Sequence, residues 1–176
     1  PLTRVCANRC TYCTYVDGDV TVLSPSGIRA ALLKAKKQAC FNILFKSGEN
    51  VDQDLRVELA LRKYGYGSFV DYLVFASRLA IAEGLLPAVN VGGLKRSELA
   101  KLKPYISYFE FPLETISPRM SKKGMPHSSC PGKKPEARIK VLKAAGSLRI
   151  PVTTGILVGM GETRKERYQA LEMLLQ

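Results

Sequence analysis

Short apolar segments alternate with amphipathic helical segments along the whole chain. The apolar runs predict strands at 41–45, 85–91, 105–111 and 152–158, with Leu2–Val5 as the tail of another. Helices are predicted from Pro25 onward and at 52–64, 70–81, 97–103, 135–146 and 164–175. Strands separated by helices build a parallel sheet, and about five βα units are too few for a closed eight-stranded barrel. The pattern therefore predicts an α/β fold, either a doubly wound sheet or a partial barrel.

Length and composition fit one folded domain. The chain has 176 residues, of which 46% are hydrophobic, enough for one sizeable core. No apolar run reaches the roughly 18–20 residues of a membrane span, and no signal or transit peptide opens the chain, so we expect a cytoplasmic protein without a membrane partner. Because the chain starts at Pro1 and a helical pattern runs to its end, we expect residues 1–176 to be a fragment, truncated at both ends, of a longer polypeptide.

Three of the five cysteines lie within eight residues, in the spacing Cys6-x3-Cys10-x2-Cys13. An odd count with this clustering does not fit a secreted disulfide framework and favours reduced thiolates that bind a metal. Structural zinc sites take four ligands, usually as two separated pairs. Three thiolates from one loop suit a [4Fe–4S] cluster with one iron left open. Zinc, or three small core residues on one helix face, are the alternatives.

Polar residues follow three of the predicted strands. Gly48 permits close backbone approach to a ligand, and Glu49 beside it offers a carboxylate. Glu114 follows the fourth strand, where it is suited to ribose hydroxyls, and Asn90 ends the third. The carboxyl ends of parallel strands meet at one edge, where ligands bind. A solvated surface role is the alternative for each of these residues.

The cysteine motif, with Tyr12 as the aromatic residue before its last cysteine, resembles the signature of radical S-adenosylmethionine (SAM) enzymes. Three further segments look like the ring-closing subunit of 7,8-didemethyl-8-hydroxy-5-deazariboflavin (FO) synthase: 1–6, Gly124–His127 and Thr153–Thr163. The resemblance covers the whole chain. It implies a partial parallel (β/α) barrel over residues 1–176, with a [4Fe–4S] cluster on Cys6, Cys10 and Cys13 and with SAM as cofactor.

The resemblance also implies a reaction. In that family the reduced cluster cleaves SAM to methionine and a 5′-deoxyadenosyl radical. The radical takes hydrogen from a tyrosine-derived adduct of 5-amino-6-ribitylaminouracil, and ring closure with loss of ammonia gives FO. The implied partners are this small-molecule substrate, a tyrosine-cleaving subunit or fused domain, and an electron donor such as a ferredoxin or flavodoxin. The sequence does not show whether that partner is fused to the chain.

The family also implies roles for single residues. Tyr12 belongs to the cofactor-binding motif, Glu49 binds the amino group of SAM, and Gly155 and Gly159 line the adenine side. The glycine segment is neither a dinucleotide fingerprint nor a P-loop, since Arg164 stands where the former needs Gly. A tightly packed strand-to-helix turn is the alternative for it.

The remaining histidine and cysteines carry weaker signals. His127, the single histidine, is interpreted as either structural or part of the substrate pocket. Cys40 precedes a buried strand and is expected to be a small core residue. Cys130 is interpreted as an incidental thiol, because a fourth cluster ligand would block SAM.

Two segments depart from the family pattern at the presumed substrate side. Ala88 stands where the family carries His, and residues 128–134 replace a family segment that contains Tyr and two Asp.

The formal charge is +12, but the cations, Lys133 and Lys134 among them, are spread over many elements and are interpreted as solvated. We therefore expect no nucleic-acid partner. The alternatives are a radical SAM enzyme with another substrate, RNA included, and a non-catalytic iron–sulfur or zinc module.

Overall fold

The computed structural model describes residues 1–15 and 21–175; Gln176, the last residue of the expected domain, lies outside this range. The strands are β1 Asn42–Glu49, β2 Leu86–Gly92, β3 Tyr108–Glu110 and β4 Val152–Thr153. The helices are α1 Pro25–Lys37, α2 Leu55–Lys63, α3 Phe69–Ala82, α4 Arg96–Leu102, α5 Pro135–Ser147 and α6 Arg164–Leu174. Short 3₁₀ turns occupy Val51–Gln53, Lys103–Tyr105, Pro118–Ser121 and Pro131–Lys133.

The four strands form one parallel sheet in the order β1-β2-β3-β4. Each strand pairs with the next along the chain because a helical crossover returns it to the same direction. The register places Phe45 opposite Val89, Val89 opposite Phe109, and Phe109 opposite Val152. These apolar residues share one face of the sheet. Phe45, Val89 and Phe109 belong to the hydrophobic core, and the partly buried Val152 packs against it. The opposite face is therefore left for polar residues and the site.

Three predicted strands are shorter than the sequence pattern suggests or absent. The strand predicted at 105–111 is confined to β3, Tyr108–Glu110. Leu2–Val5 runs beside β1, with the Leu2 N–H donating to the Lys46 carbonyl at 2.7 Å, but it forms no strand in the described residues. The strand predicted at 152–158 is confined to β4, and beyond it only Ile156 forms an isolated bridge to Glu114. The described part of the chain thus has four strands instead of about five, because Leu2–Val5 forms none. Glycines and polar residues after β4 end the pairing of the last strand early.

Helix ends carry the side chains that satisfy free backbone N–H groups. Ser24, Asp54, Ser68 and Thr163 cap α1, α2, α3 and α6, and Thr163 forms a capping box with Glu166. The longest described helix, α3, has 14 residues. Within the described ranges, no helix has the length and apolarity needed to cross a membrane.

The core lies between the sheet and helices α1 to α5. Helix α3 is apolar on most sides and buries Tyr72, Leu73 and Ala76 completely. Leu99 of α4 is also fully buried and packs between α3 and α5. This layer of helices covers the outer face of the sheet, as expected for one side of a (β/α) barrel.

We predict that Leu99→Ala lowers the free energy of unfolding by about 2–5 kcal/mol, because it removes buried methyl groups and leaves a cavity. Leu59→Ala on α2 is the matched control: Leu59 is 57% exposed, so its change is expected to stay within about 0.5 kcal/mol. Urea denaturation followed by circular dichroism measures both. Equal losses in the two variants would contradict the described packing of α4.

Candidate active site

A cavity of about 270 Å³ opens at the carboxyl ends of the strands. Three parts of the chain line it: the cysteine loop (residues 6–13), the ends of β1 and β2, and a segment running from Phe111 to Arg138. A larger hollow of about 630 Å³ lies on the outer side of α3, but no cysteine lines it and its carboxylate, Asp71, is paired with Lys101. The smaller cavity is therefore the candidate site.

The cysteine loop is tied to the end of β1 through its backbone. The Glu49 N–H donates to Cys6 Sγ at 3.3 Å, and the Ala7 N–H donates to the Glu49 carbonyl at 2.9 Å. Cys10 is buried, whereas Cys6 and Cys13 are partly exposed. All three cysteines line the cavity, so the loop presents three thiols to one space.

Gly48 allows this close approach. A Cβ atom at Gly48 would lie 2.0 Å from the Val5 carbonyl oxygen and 2.4 Å from Cys6 Cβ, so no side chain fits there. Gly92 and Gly132 have the same relation to Glu49, whose side-chain atoms would lie 2.1 Å from an added Cβ in each case. Gly48 thus packs the cysteine loop against β1, and the other two glycines enclose the Glu49 carboxylate.

A bulge in β1 turns Glu49 into the cavity. Lys46 pairs with Asn90 and Glu49 pairs with Gly92, so three steps along β1 correspond to two along β2. Without the extra residue, strict alternation would place Glu49 on the opposite face from Lys46. The shift puts both side chains in the lining of the same cavity.

The three cysteines fit a [4Fe–4S] cluster. Among the described residues, no group of three or more His, Cys, Asp or Glu side chains is arranged to hold a single metal ion. A cubane needs no such convergence, because each thiolate binds a different iron. Burial raises the pKa of the Cys6 thiol, and burial together with the Cys130 thiol raises the pKa of Cys10 to about 12. A cluster bound here would therefore have to displace protons from these thiols.

Two carboxylates and two cations form a buried network at the rim of the cavity. Arg138 Nη1 lies 2.6 Å from Glu49 Oε1, and Lys133 Nζ lies 3.1 Å from the same oxygen. Lys133 also pairs with Glu114 Oε1, and the Arg138 guanidinium lies 3.7 Å over the Phe111 ring. The charges balance, which buried ions require because an unpaired one costs several kcal/mol.

Glu49 keeps one carboxylate oxygen free. Both cations bind Oε1, whereas the buried Oε2 has no hydrogen-bond partner among the described residues, and the buried Asn8 Nδ2 has none either. Asn8 Oδ1 accepts from the Gly132 N–H at 3.0 Å, which fixes the amide in place. A buried acceptor without a partner is costly, so Glu49 Oε2 is suited to a donor on a ligand, such as an ammonium group.

Glu114 joins a second set of contacts with Tyr12 and His127. The Tyr12 hydroxyl donates to Glu114 Oε2 at 2.8 Å and lies 2.7 Å from His127 Nε2. Because that hydroxyl proton goes to Glu114, His127 Nε2 carries the proton of its own bond to the tyrosine oxygen. Glu114 has a φ of 68°, a left-handed conformation that costs free energy in a residue with a Cβ and is typical of functional sites.

The environment of Glu114 keeps it ionised. Burial alone raises the pKa of its carboxyl, but the hydrogen bond from His127 and the charges of Lys133 and Arg138 outweigh burial and lower the pKa to about 2. Partial burial and the Glu114 charge raise the pKa of the Tyr12 phenol. Tyr12 thus stays protonated and donates to a permanent carboxylate.

Comparison with known proteins identifies the family. A model of the radical SAM superfamily matches residues 1–174. The chain belongs to the radical SAM superfamily. Among solved structures, HydG, a maturase of the [FeFe]-hydrogenase, is similar with a TM-score of 0.76 and 17% identity, over 98% of this chain and 37% of that chain. This likeness concerns the fold and confirms the expected α/β partial barrel.

Two curated relatives point in the same direction as the sequence motifs. The chain is 40% identical over 178 residues to the 7,8-didemethyl-8-hydroxy-5-deazariboflavin synthase of Methanopyrus kandleri, covering 98% of this chain and 53% of the relative. It is 40% identical over 179 residues to the synthase of the same name from Archaeoglobus fulgidus, covering 100% and 52%. The chain thus spans about half the length of these relatives.

Within this radical SAM fold, most predicted site residues meet at one cavity. Gly155 and Gly159 do not line it: the Gly155 carbonyl accepts from the Glu114 N–H at 2.9 Å, and the Gly159 N–H donates to Glu162 at 2.9 Å. Gly155 thus supports the backbone of Glu114, and Gly159 lies in the turn before α6. Their predicted contact with the adenine of SAM stays a prediction.

Three of the weaker sequence interpretations change with the structure. His127 is 1% exposed and contacts the site through Tyr12 and Glu114, so it lies behind the cavity and not in its lining. The expectation of a core position for Cys40 is wrong, because Cys40 is exposed in the turn after α1. Cys130 is buried, and its Sγ lies 3.4 Å from Cys10 Sγ.

Sequence reasoning missed the two cations of the site. The interpretation of Lys133 as a solvated charge is wrong, since its side chain is 14% exposed and pairs with both carboxylates. Arg138, 2% exposed, was not singled out. The available signal was local: Lys133 lies in a Pro/Gly-rich stretch and not on a helix face, and Arg138 follows Pro135 by one helical turn, on the inward side of α5.

We predict that Glu114→Gln lowers the free energy of unfolding of the metal-free protein near neutral pH by about 3 kcal/mol, on the basis of the pKa shift. A carboxyl whose pKa is lowered from 4.5 to about 2 stabilises the folded state above pH 4.5 and loses that effect as the pH falls toward 2. The difference in the free energy of unfolding between Glu114→Gln and the original protein should therefore shrink as the pH falls from 4.5 toward 2.

Urea denaturation at a series of pH values tests this, with Glu58→Gln as the control. Glu58 forms a surface pair with Arg62 and is 44% exposed, so its substitution should change stability by less than about 0.5 kcal/mol. A difference for Glu114→Gln that does not depend on pH would contradict the prediction.

A cysteine series tests the ligand set. Serine at Cys6, Cys10 or Cys13 should prevent retention of about four irons per chain after anaerobic reconstitution, whereas Cys130→Ser should retain them, because a cubane with an open iron uses three thiolates. Iron and acid-labile sulfide analysis with visible absorbance measures this. If Cys130→Ser loses as much iron as Cys10→Ser, Cys130 is a fourth ligand and the open position does not exist.

Proposed function

We propose that this chain carries the catalytic core of a radical SAM lyase that forms the deazaflavin FO from a tyrosine-derived adduct of 5-amino-6-ribitylaminouracil, by ring closure with loss of ammonia. The similarity to FO synthases supports this substrate. The observation that carries the proposal is the cavity itself, in which three thiols from one loop face a buried carboxylate with a free oxygen.

The cavity has residues suited to the [4Fe–4S] cluster and to the amino and carboxylate groups of SAM. Cys6, Cys10 and Cys13 would hold the [4Fe–4S] cluster, and Glu49 Oε2 would accept hydrogen bonds from the amino group of SAM. Arg138 and Lys133, the cations beside Glu49, would bind the carboxylate of SAM. When bound, the reduced cluster supplies one electron that cleaves SAM to methionine and a 5′-deoxyadenosyl radical.

The other residues around the cavity position these groups. Glu114, held ionised by Lys133 and His127, fixes the Tyr12 hydroxyl at the wall of the site and is suited to the ribose hydroxyls of SAM. Cys10, the most buried of the three cysteines, packs against Cys130, whose Sγ lies 3.4 Å from Cys10 Sγ. We place the reaction in the cytoplasm, with a tyrosine-cleaving subunit or domain and with a ferredoxin or flavodoxin as electron donor.

A radical SAM enzyme with a different substrate is the second candidate. Ala88, where the related family carries His, is fully buried in β2, and two residues later the same strand supplies Asn90 to the cavity. Cys130 and Gly132 lie in the other departing segment and contact Cys10 and Glu49. These sequence differences lie close enough to the site to change which substrate it accepts, while the cysteine loop keeps its geometry.

Anaerobic reconstitution followed by reduction with SAM tests the proposal, with Cys10→Ser as the negative control. We expect 5′-deoxyadenosine release and, with the tyrosine adduct present, the absorbance and mass of FO. Deoxyadenosine without FO would favour another substrate. A colourless protein with stoichiometric zinc, or a cluster without SAM cleavage, would contradict the enzymatic proposal and favour a metal-binding module.

A further inference from the structure

A row of polar side chains crosses the inner face of the sheet below the ion network. Lys46 on β1 is opposite Asn90 on β2, and Glu110 on β3 is opposite Thr153 on β4. Glu110 lies one position beyond the Val89–Phe109 pair, which places it level with Asn90. The parallel register thus aligns these four residues, here named the polar row, across all four strands.

Part of the polar row lines the same cavity as the cysteines. Lys46 and Asn90 line that cavity, and Asn90 Nδ2 donates to Glu110 Oε1. The neighbouring residues on each strand, such as Phe45, Val89 and Phe109, point the other way and are buried against helices. Alternation along the strands therefore directs the polar row into the barrel interior.

The charged pair of the polar row contributes little to folding stability. Lys46 Nζ lies 3.7 Å from Glu110 Oε1, and their side chains are 46% and 25% exposed, so the pair adds little stability. Lys, Asn and Glu are also residues that strands disfavour. In contrast, the pairs of Arg138 and Lys133 with Glu49 are short and buried. A weak polar pair beside the thiols is open to replacement by a ligand.

The chemistry of the row selects a class of ligand. Lys46 and Glu110 together carry no net charge, so an anion would meet the carboxylate and a cation would meet the ammonium group. The row alternates donors and acceptors and, at about 4.8 Å per strand, extends for roughly 14 Å. A neutral chain with several hydroxyls, each a donor and an acceptor, matches such an extended row better than a compact ring does.

We propose that Lys46, Asn90 and Glu110 bind a polyhydroxylated chain of the substrate and determine specificity for it. This inference rests on the proposed function, in whose substrate the ribityl group is the polyol. It places the substrate on the inner face of the sheet, below the carboxylates and cations that are suited to SAM.

The test uses two ligands: the ribityl adduct and an analogue with an unsubstituted alkyl chain of equal length. Binding to the reconstituted, unreduced protein is measured by calorimetry, and turnover is measured separately. Lys46→Met and Glu110→Gln should each weaken binding of the ribityl adduct about 10- to 100-fold, as expected for lost charged hydrogen bonds. Binding of the alkyl analogue should change less than about 3-fold.

The matched control is Lys63→Met on the exposed end of α2, which should leave the discrimination between the two ligands as it is. Glu110→Gln keeps the size of the side chain, and circular dichroism with urea denaturation verifies that each variant is folded. Unchanged discrimination in both row variants, or no binding of the ribityl adduct to the original protein, would overturn the inference. A different result would overturn the proposed function instead: the ribityl adduct binds, the row variants weaken that binding, and yet no FO is formed.

Discussion

The position of Glu49 at the end of β1 joins the two halves of the site. Its backbone holds the cysteine loop, by donating to Cys6 Sγ and accepting from the Ala7 N–H. Its side chain holds the distant segment through Arg138 and Lys133. Because one residue makes both connections, the distance between the thiols and the cations is set by the bulge that turns this side chain inward.

The charge balance of the buried network explains which ligand it is suited to. Glu49 and Glu114 neutralise Lys133 and Arg138, so a ligand group of net charge that entered this network would leave buried charge uncompensated. The amino acid portion of SAM is a zwitterion, which brings one charge of each sign. In the proposed binding mode, it would pair with the free oxygen of Glu49 and with the cations without disturbing the balance. The site is therefore preorganised before its ligand enters.

Local patterns predicted the parts of the structure that depend on local physics. The strands β1 to β3 follow from apolar runs, and the cysteine loop follows from its spacing. Arg138 could not be recognised in the same way, because its burial results from a contact with Glu49, 89 residues away. The inward turn of Glu49 also escapes the alternation rule, since a bulge has no signature in the hydrophobic pattern. The prediction of a core position for Cys40 was wrong because Cys40 lies in the exposed connection between α1 and β1, ahead of the buried part of the strand.

The site has two layers along the strands, the ion network above and the polar row below. Because they are separate, residues of one layer can change without changing the other. Lys46 and Glu49 pair with Asn90 and Gly92, which are two residues apart on β2 because of the bulge, so the polar row lies about 7 Å below the ion network at 3.3 Å per residue. The upper layer is buried and tightly paired, and a substitution there disturbs charges that also support the fold. The lower layer is exposed and weakly paired. If the upper layer binds SAM and the lower layer the substrate, as proposed, substrate preference can change in the lower layer while the upper layer stays the same, which is how one fold serves many reactions.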